Sequence, residues 1–67
     1  MSMLEINKKL QEVVKKLIEI NEEMIETSKA LEKDVRNKKL IEKMIQLKQQ
    51  KDKLNKESAE LEKQLFG

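Results

Sequence analysis

Nothing in this chain interrupts a helix. Its 67 residues contain no proline, and the single glycine is the last residue. The abundant Leu, Lys, Glu, Gln and Met all favour helix, because side chains without a branch at Cβ lose little rotamer freedom there. The apolar residues then decide what those helices do.

Met3, Leu10, Leu17, Met24 and Leu31 recur every seven residues, and Ile6, Val13 and Ile20 interleave with them. That is the seam of a packed helix, and Thr27 continues its second row as a polar member. Val14, Ile18 and Ile25 widen the stripe to an arc of roughly 200°, more than a two-stranded seam needs. A second row, Leu40, Leu47, Leu54 and Leu61, has Met44 and Leu65 as companions, with Lys51 and Ser58 interrupting. Ile41 and Ile45 broaden the start of this second stripe.

Projected on one continuous helix, the two stripes point roughly 130° apart. A straight helix could not bury both against one neighbour. A reversal within the polar stretch Glu32–Lys39 resolves the conflict, although one long interrupted helix is the competing arrangement. The expected fold is all-α: a single antiparallel helical hairpin, with helix 1 over about 3–33, a turn over about 34–38 and helix 2 over about 39–65. Asp34 or Asn37 can cap the second helix, and Asn37 tolerates a left-handed backbone should the reversal demand one. Folding about residue 36 sets Leu31 near Leu40–Ile41, Met24 near Leu47, Leu17 near Leu54 and Leu10 near Leu61. The expected core is therefore Leu10, Leu17, Ile20, Met24 and Leu31 against Leu40, Met44, Leu47, Leu54 and Leu61.

Four polar residues, Asn21, Ser28, Lys51 and Ser58, project into these apolar arcs. A polar group at a seam position can fix register or partner number. The simpler expectation is that Lys51 extends its amine to water and Ser58 bonds a carbonyl of its own helix.

The residue inventory argues against chemistry. With no histidine or cysteine, imidazole and thiolate ligands, disulfides and the commonest general base are all missing. No glycine-rich phosphate loop can form. Glu19, Glu22, Glu23 and Glu26 make one acidic helix surface, but hard-cation cages are completed by loop carbonyls. The expectation is no enzyme, no cofactor and no metal. The longest apolar runs, such as Val13–Val14, are two residues long, far below the roughly 20 of a membrane span or the 7–15 of a signal peptide's apolar region. No membrane insertion is expected. The lack of cysteine fits the cytoplasm or another reducing compartment.

Charge is high at 42% of residues but nearly balanced, with a net +2, so the spaced apolar residues argue for folding over disorder. Residues 34–67 carry nine basic and six acidic side chains. At the turn, Arg36, Lys38 and Lys39 are the candidate anion contact. The stacking aromatics and base-reading arginines of nucleic-acid binders are missing, which argues against nucleic acid as partner.

A lone hairpin of this size makes a thin core. The wide stripe would remain exposed in a monomer, and such patches mark interaction sites. The functional expectation is a structural or adaptor module that pairs with itself as a dimer, forming a four-helix bundle. Val14, Ile18, Ile25, Ile41 and Ile45 are the candidate protein-interaction residues. Two alternatives share the fold: a subunit that needs a different helical chain, and a small nucleic-acid regulator using the basic 36–56 segment.

Overall fold

The computed structural model describes residues 2–67. Two helices, α1 (Met3–Lys33) and α2 (Lys38–Phe66), pack against each other along their length. The fold is all-α, a two-helix antiparallel hairpin measuring 47 × 14 × 14 Å. A helix of 31 residues should run about 46 Å at 1.5 Å per residue, so the long dimension is simply the length of α1.

Local chemistry accounts for each helix end. At the start of α1 the Ser2 hydroxyl oxygen accepts the Glu5 amide at 3.2 Å, satisfying one of the donors a helix start leaves without a partner. At its end, the Asp34 amide donates to Ala30 and Leu31 carbonyls, both at 3.2 Å. The chain then reverses in Val35 and Arg36, and α2 opens at Lys38, one residue earlier than the sequence suggests.

Asn37 holds the reversal together. Its Oδ1 accepts the Lys39 and Leu40 amides at 3.1 and 3.2 Å. Its Nδ2 donates to Asp34 Oδ2 at 3.3 Å, and its own amide donates to the Asp34 carbonyl at 3.2 Å. The backbone there is extended, with φ −72° and ψ 105°, so the left-handed conformation that Asn37 could have supplied is not used. Among the described residues no non-glycine residue has positive φ. A four-residue link between capped helices can reverse with ordinary dihedrals, which is why the turn carries no glycine.

The core is thin. Ile6, Val13, Leu47 and Leu61 are its only buried apolar side chains among the described residues, joined by Thr27. Leu10, Leu17, Leu54 and Leu65 pack half-buried around Ile6, Val13 and Leu61 toward the open end. The expected pairings of Leu10 with Leu61 and Leu17 with Leu54 fall within this cluster. Ile20, Met24, Leu31, Leu40 and Met44 also remain half-buried, because two helices alone can cover only one stripe of each other.

Thr27 is the most buried side chain, 3% exposed, and its hydroxyl donates to the Glu23 carbonyl at 2.7 Å. The helix-carbonyl bond expected of Ser58 is thus seen at Thr27 instead. A β-branched residue facing the seam has no route to water, so its hydroxyl turns back onto its own helix. Asn21, expected within the apolar arc, is exposed. It lies one step round α1 from the seam, where the partner helix does not reach.

Candidate interaction surface

The hairpin has two unlike faces. On one, Ile20 and Leu54 floor a groove whose walls are Lys16, Glu19 and Glu23 from α1 and Gln50, Lys53 and Glu57 from α2. Here the acidic surface of α1 stands across from a lysine of the basic segment, so charges of both signs share one face. Glu19, Glu22, Glu23 and Glu26 do not converge: among the described residues no group of three acidic side chains is placed to hold a metal ion.

The other face mixes large apolar residues with polar and charged ones. Toward the turn it carries a shallow groove lined by Met24, Ile25 and Met44 together with Asn21, Ser28, Lys29 and Glu32. Further along α1, Leu10, Val14 and Ile18 line its continuation. Helical phase places Ile41 and Ile45 on this same side, because both lie beyond Met44 in the direction away from the seam, at about 100° per residue. Two antiparallel helices with stripes widened in the same rotational sense present both extensions to one side.

Val14 is 48% exposed, Ile18 54%, Ile25 56%, Ile41 40% and Ile45 53%. All five candidates are exposed, and helical phase sets them on one side of the hairpin, along a diagonal from α2 near the turn to the middle of α1. Ile25 and Ile45 stand at about the same level of the hairpin. Met3, Leu4 and Phe66 are exposed as well, but they lie at the open end, away from this patch.

Arg36, Lys38 and Lys39 are exposed at the turn. An anion at a helix start needs free amides, and the Asn37 side chain already occupies those of Lys39 and Leu40. The Asp34 carboxylate, bonded to Asn37, adds a negative charge beside them. The structure gathers the three basic residues but gives them no anion cradle.

No family model, curated protein or solved structure matches the chain. Its function has to be read from the surface itself. No helix among the described residues is long and apolar enough to cross a membrane.

Proposed function

We propose that this protein is a non-enzymatic structural module that self-associates through its apolar face into a four-helix bundle and offers its outer surfaces to a protein partner. One quantity carries the reading. The hairpin exposes 5713 Å² at a mass of 7.9 kDa, whereas a compact monomer of that mass exposes about 4,400 Å². It hides only about half of the surface of its unfolded chain, against about 60% for a stable domain of similar length. The excess of about 1,300 Å² per chain exceeds the roughly 800 Å² that a specific interface removes from water on each partner.

The apolar patch has the chemistry to use that excess. Fully burying a Val or Ile side chain is worth about 1.5–3 kcal/mol, so each of the five half-exposed residues retains about 1 kcal/mol. Two copies together bring about 10 kcal/mol, which is the scale of the roughly 4–15 kcal/mol lost to association entropy.

Sedimentation velocity across a concentration series, read by interference optics, tests the proposal. The expected species has twice the chain mass and is strongly helical by circular dichroism. The double substitution Ile18→Asp with Ile45→Asp should return it to chain mass. A double variant that keeps the parent's mass refutes the assignment of this face. A parent that sediments as a poorly helical monomer points instead to a different chain as the covering partner.

A further inference from the structure

The exposed face is laid out about one level on both helices. On α1, Asn21 lies midway between Val14 and Ser28 and almost midway between Ile18 and Ile25. On α2, alternating helical steps carry the row of Ile41 and Ile45 on through Lys48, Asp52, Asn55 and Ala59, all exposed. Gln50 is the midpoint of Lys48 and Asp52, of Ile45 and Asn55, and of Ile41 and Ala59. Gln50 also stands level with Asn21, in step with Leu17 beside Leu54 and Leu10 beside Leu61, and it lines one groove with Ile20. Nothing within a single hairpin requires the two midpoints to share a level. A two-fold axis running across the hairpin does.

Resting on the self-association proposed above, we infer that the face is covered by a second copy in the opposed orientation, α1 over α1 and α2 over α2, about a two-fold axis lying in the interface at the level of Asn21 and Gln50. Ile18 then lies beside Ile25 of the partner subunit, Val14 beside Ser28 of the partner subunit and Ile41 beside Ala59 of the partner subunit. Ile45 lies beside Asn55 of the partner subunit, and Lys48 meets Asp52 of the partner subunit. The symmetry repeats each contact. On the axis itself Asn21 meets Asn21 of the partner subunit, where each amide can donate to the other and accept from it. A polar residue so placed fixes register.

The other two-fold arrangement that stacks face on face is head to head, with α1 antiparallel over α2 of the partner subunit. It joins Ile25 to Ile45 of the partner subunit and Leu4 to Phe66 of the partner subunit. It also sets Ile18 against Asp52 of the partner subunit, whose carboxylate loses water without gaining a cation. Glu32–Lys39 carries four basic and two acidic side chains, so head-to-head copies concentrate its positive charge at one end. Opposed copies hold the turns about 42 Å apart, well beyond the roughly 10 Å over which charges feel each other in salt. Sliding the opposed copies until Val14 meets Ile25 of the partner subunit brings Asp52 onto Asp52 of the partner subunit.

The area is adequate. An axis at this level makes the hairpins overlap over about 28 residues, or about 42 Å, and two helices side by side are about 20 Å wide. The footprint is about 840 Å² per copy, matching the roughly 800 Å² per partner of a stable complex. The open end with Met3, Leu4 and Phe66 lies beyond the overlap.

Cysteine pairing tests the orientation, since the chain has no cysteine of its own. In a glutathione redox buffer, Asn21→Cys should join its own copy across the axis and run as a covalent dimer on a non-reducing gel. Asn7→Cys, on the same face, should stay at chain mass, because its two copies stand about 42 Å apart and a disulfide needs Cβ atoms within about 4.5 Å. Ile18→Cys and Ile25→Cys chains, one carrying a mass tag, are also mixed and allowed to exchange; the mixed disulfide should dominate, which keeps the test independent of the Asn21 contact. Dominant joining of Ile25→Cys with Ile45→Cys overturns the inference in favour of head-to-head copies. A parent of dimer mass in which neither Asn21→Cys nor the Ile18→Cys and Ile25→Cys mixture joins also overturns it. A parent of chain mass removes the self-association reading itself, so the two failures are distinguishable.

Discussion

Replacing Asn37 probes the one device that turns two helices into a hairpin. Its side-chain oxygen accepts two amides, its side-chain nitrogen donates to Asp34, and its backbone is extended. Asn37→Ala removes the cap and should cost about 1 kcal/mol, within the 0.5–2 kcal/mol range for lost N-caps. For a chain of this size that lowers Tm by about 4–8 °C. Asn37→Gly separates two accounts of the turn. Were residue 37 left-handed, glycine would be neutral or stabilising, because it has no Cβ to strain there. In the extended backbone observed here, glycine instead loses the cap by a few tenths of a kcal/mol and adds about 0.4–1 kcal/mol of unfolded-state entropy. The glycine variant should therefore melt several degrees below the parent. Thermal unfolding followed at 222 nm, at one fixed protein concentration, reads the series. A glycine variant as stable as the parent, or more so, refutes the capping argument.

Four further outcomes follow from the same geometry. Val13 is 4% exposed and its neighbour Val14 48%, so Val13→Ala should destabilise by about 1–2 kcal/mol. Val14→Ala should leave the helicity intact and weaken self-association, and melting together with sedimentation separates the two effects. Thr27→Val keeps the buried shape and removes a hydroxyl whose bond to the Glu23 carbonyl competes within its own helix; Tm should rise by a few degrees, since such back-bonding slightly destabilises helices. The first turn of α2 holds no acidic residue, so Lys39→Glu should add about 0.3–1 kcal/mol by complementing the helix dipole, together with a favourable pairing to Lys43. Chemical denaturation checks it.

Much of this architecture was legible in one dimension because its causes are local. Helix periodicity made the two stripes visible, and their phase break favoured a reversal over one long interrupted helix. The polar stretch with Asn37 showed where that reversal could be capped. Two features were not legible. The sequence favoured the leucine and methionine row as the core, yet Ile6 and Val13 from the interleaved row are the deepest apolar residues of α1. Which of two adjacent rows points inward depends on the rotation of α1 about its axis, and a difference of tens of degrees leaves the repeat unchanged. Asn21 failed for the same reason. Its phase lies at the rim of the stripe, where a small rotation moves a side chain from covered to exposed. Thr27 sat visibly in the buried row; its position deep against α2 could have been weighed by its seven-residue spacing from Ile20 and Val13.

Read along the chain, the residues show that it is helical, that a reversal near residue 36 suits its two stripes better than one long interrupted helix, and that each stripe is wider than one partner covers. Those properties follow from propensity, capping and period, each of which acts within a few residues. It is the packing of α1 on α2 that sets both surplus surfaces on one side of the hairpin, opposite the groove walled by Lys16, Glu19, Glu23, Lys53 and Glu57. That outcome depends on the level and rotation at which two antiparallel helices settle, a relation between residues far apart in the chain. It brings two widened stripes to one side, where Asn21, Lys29 and Glu32 stand among the apolar residues.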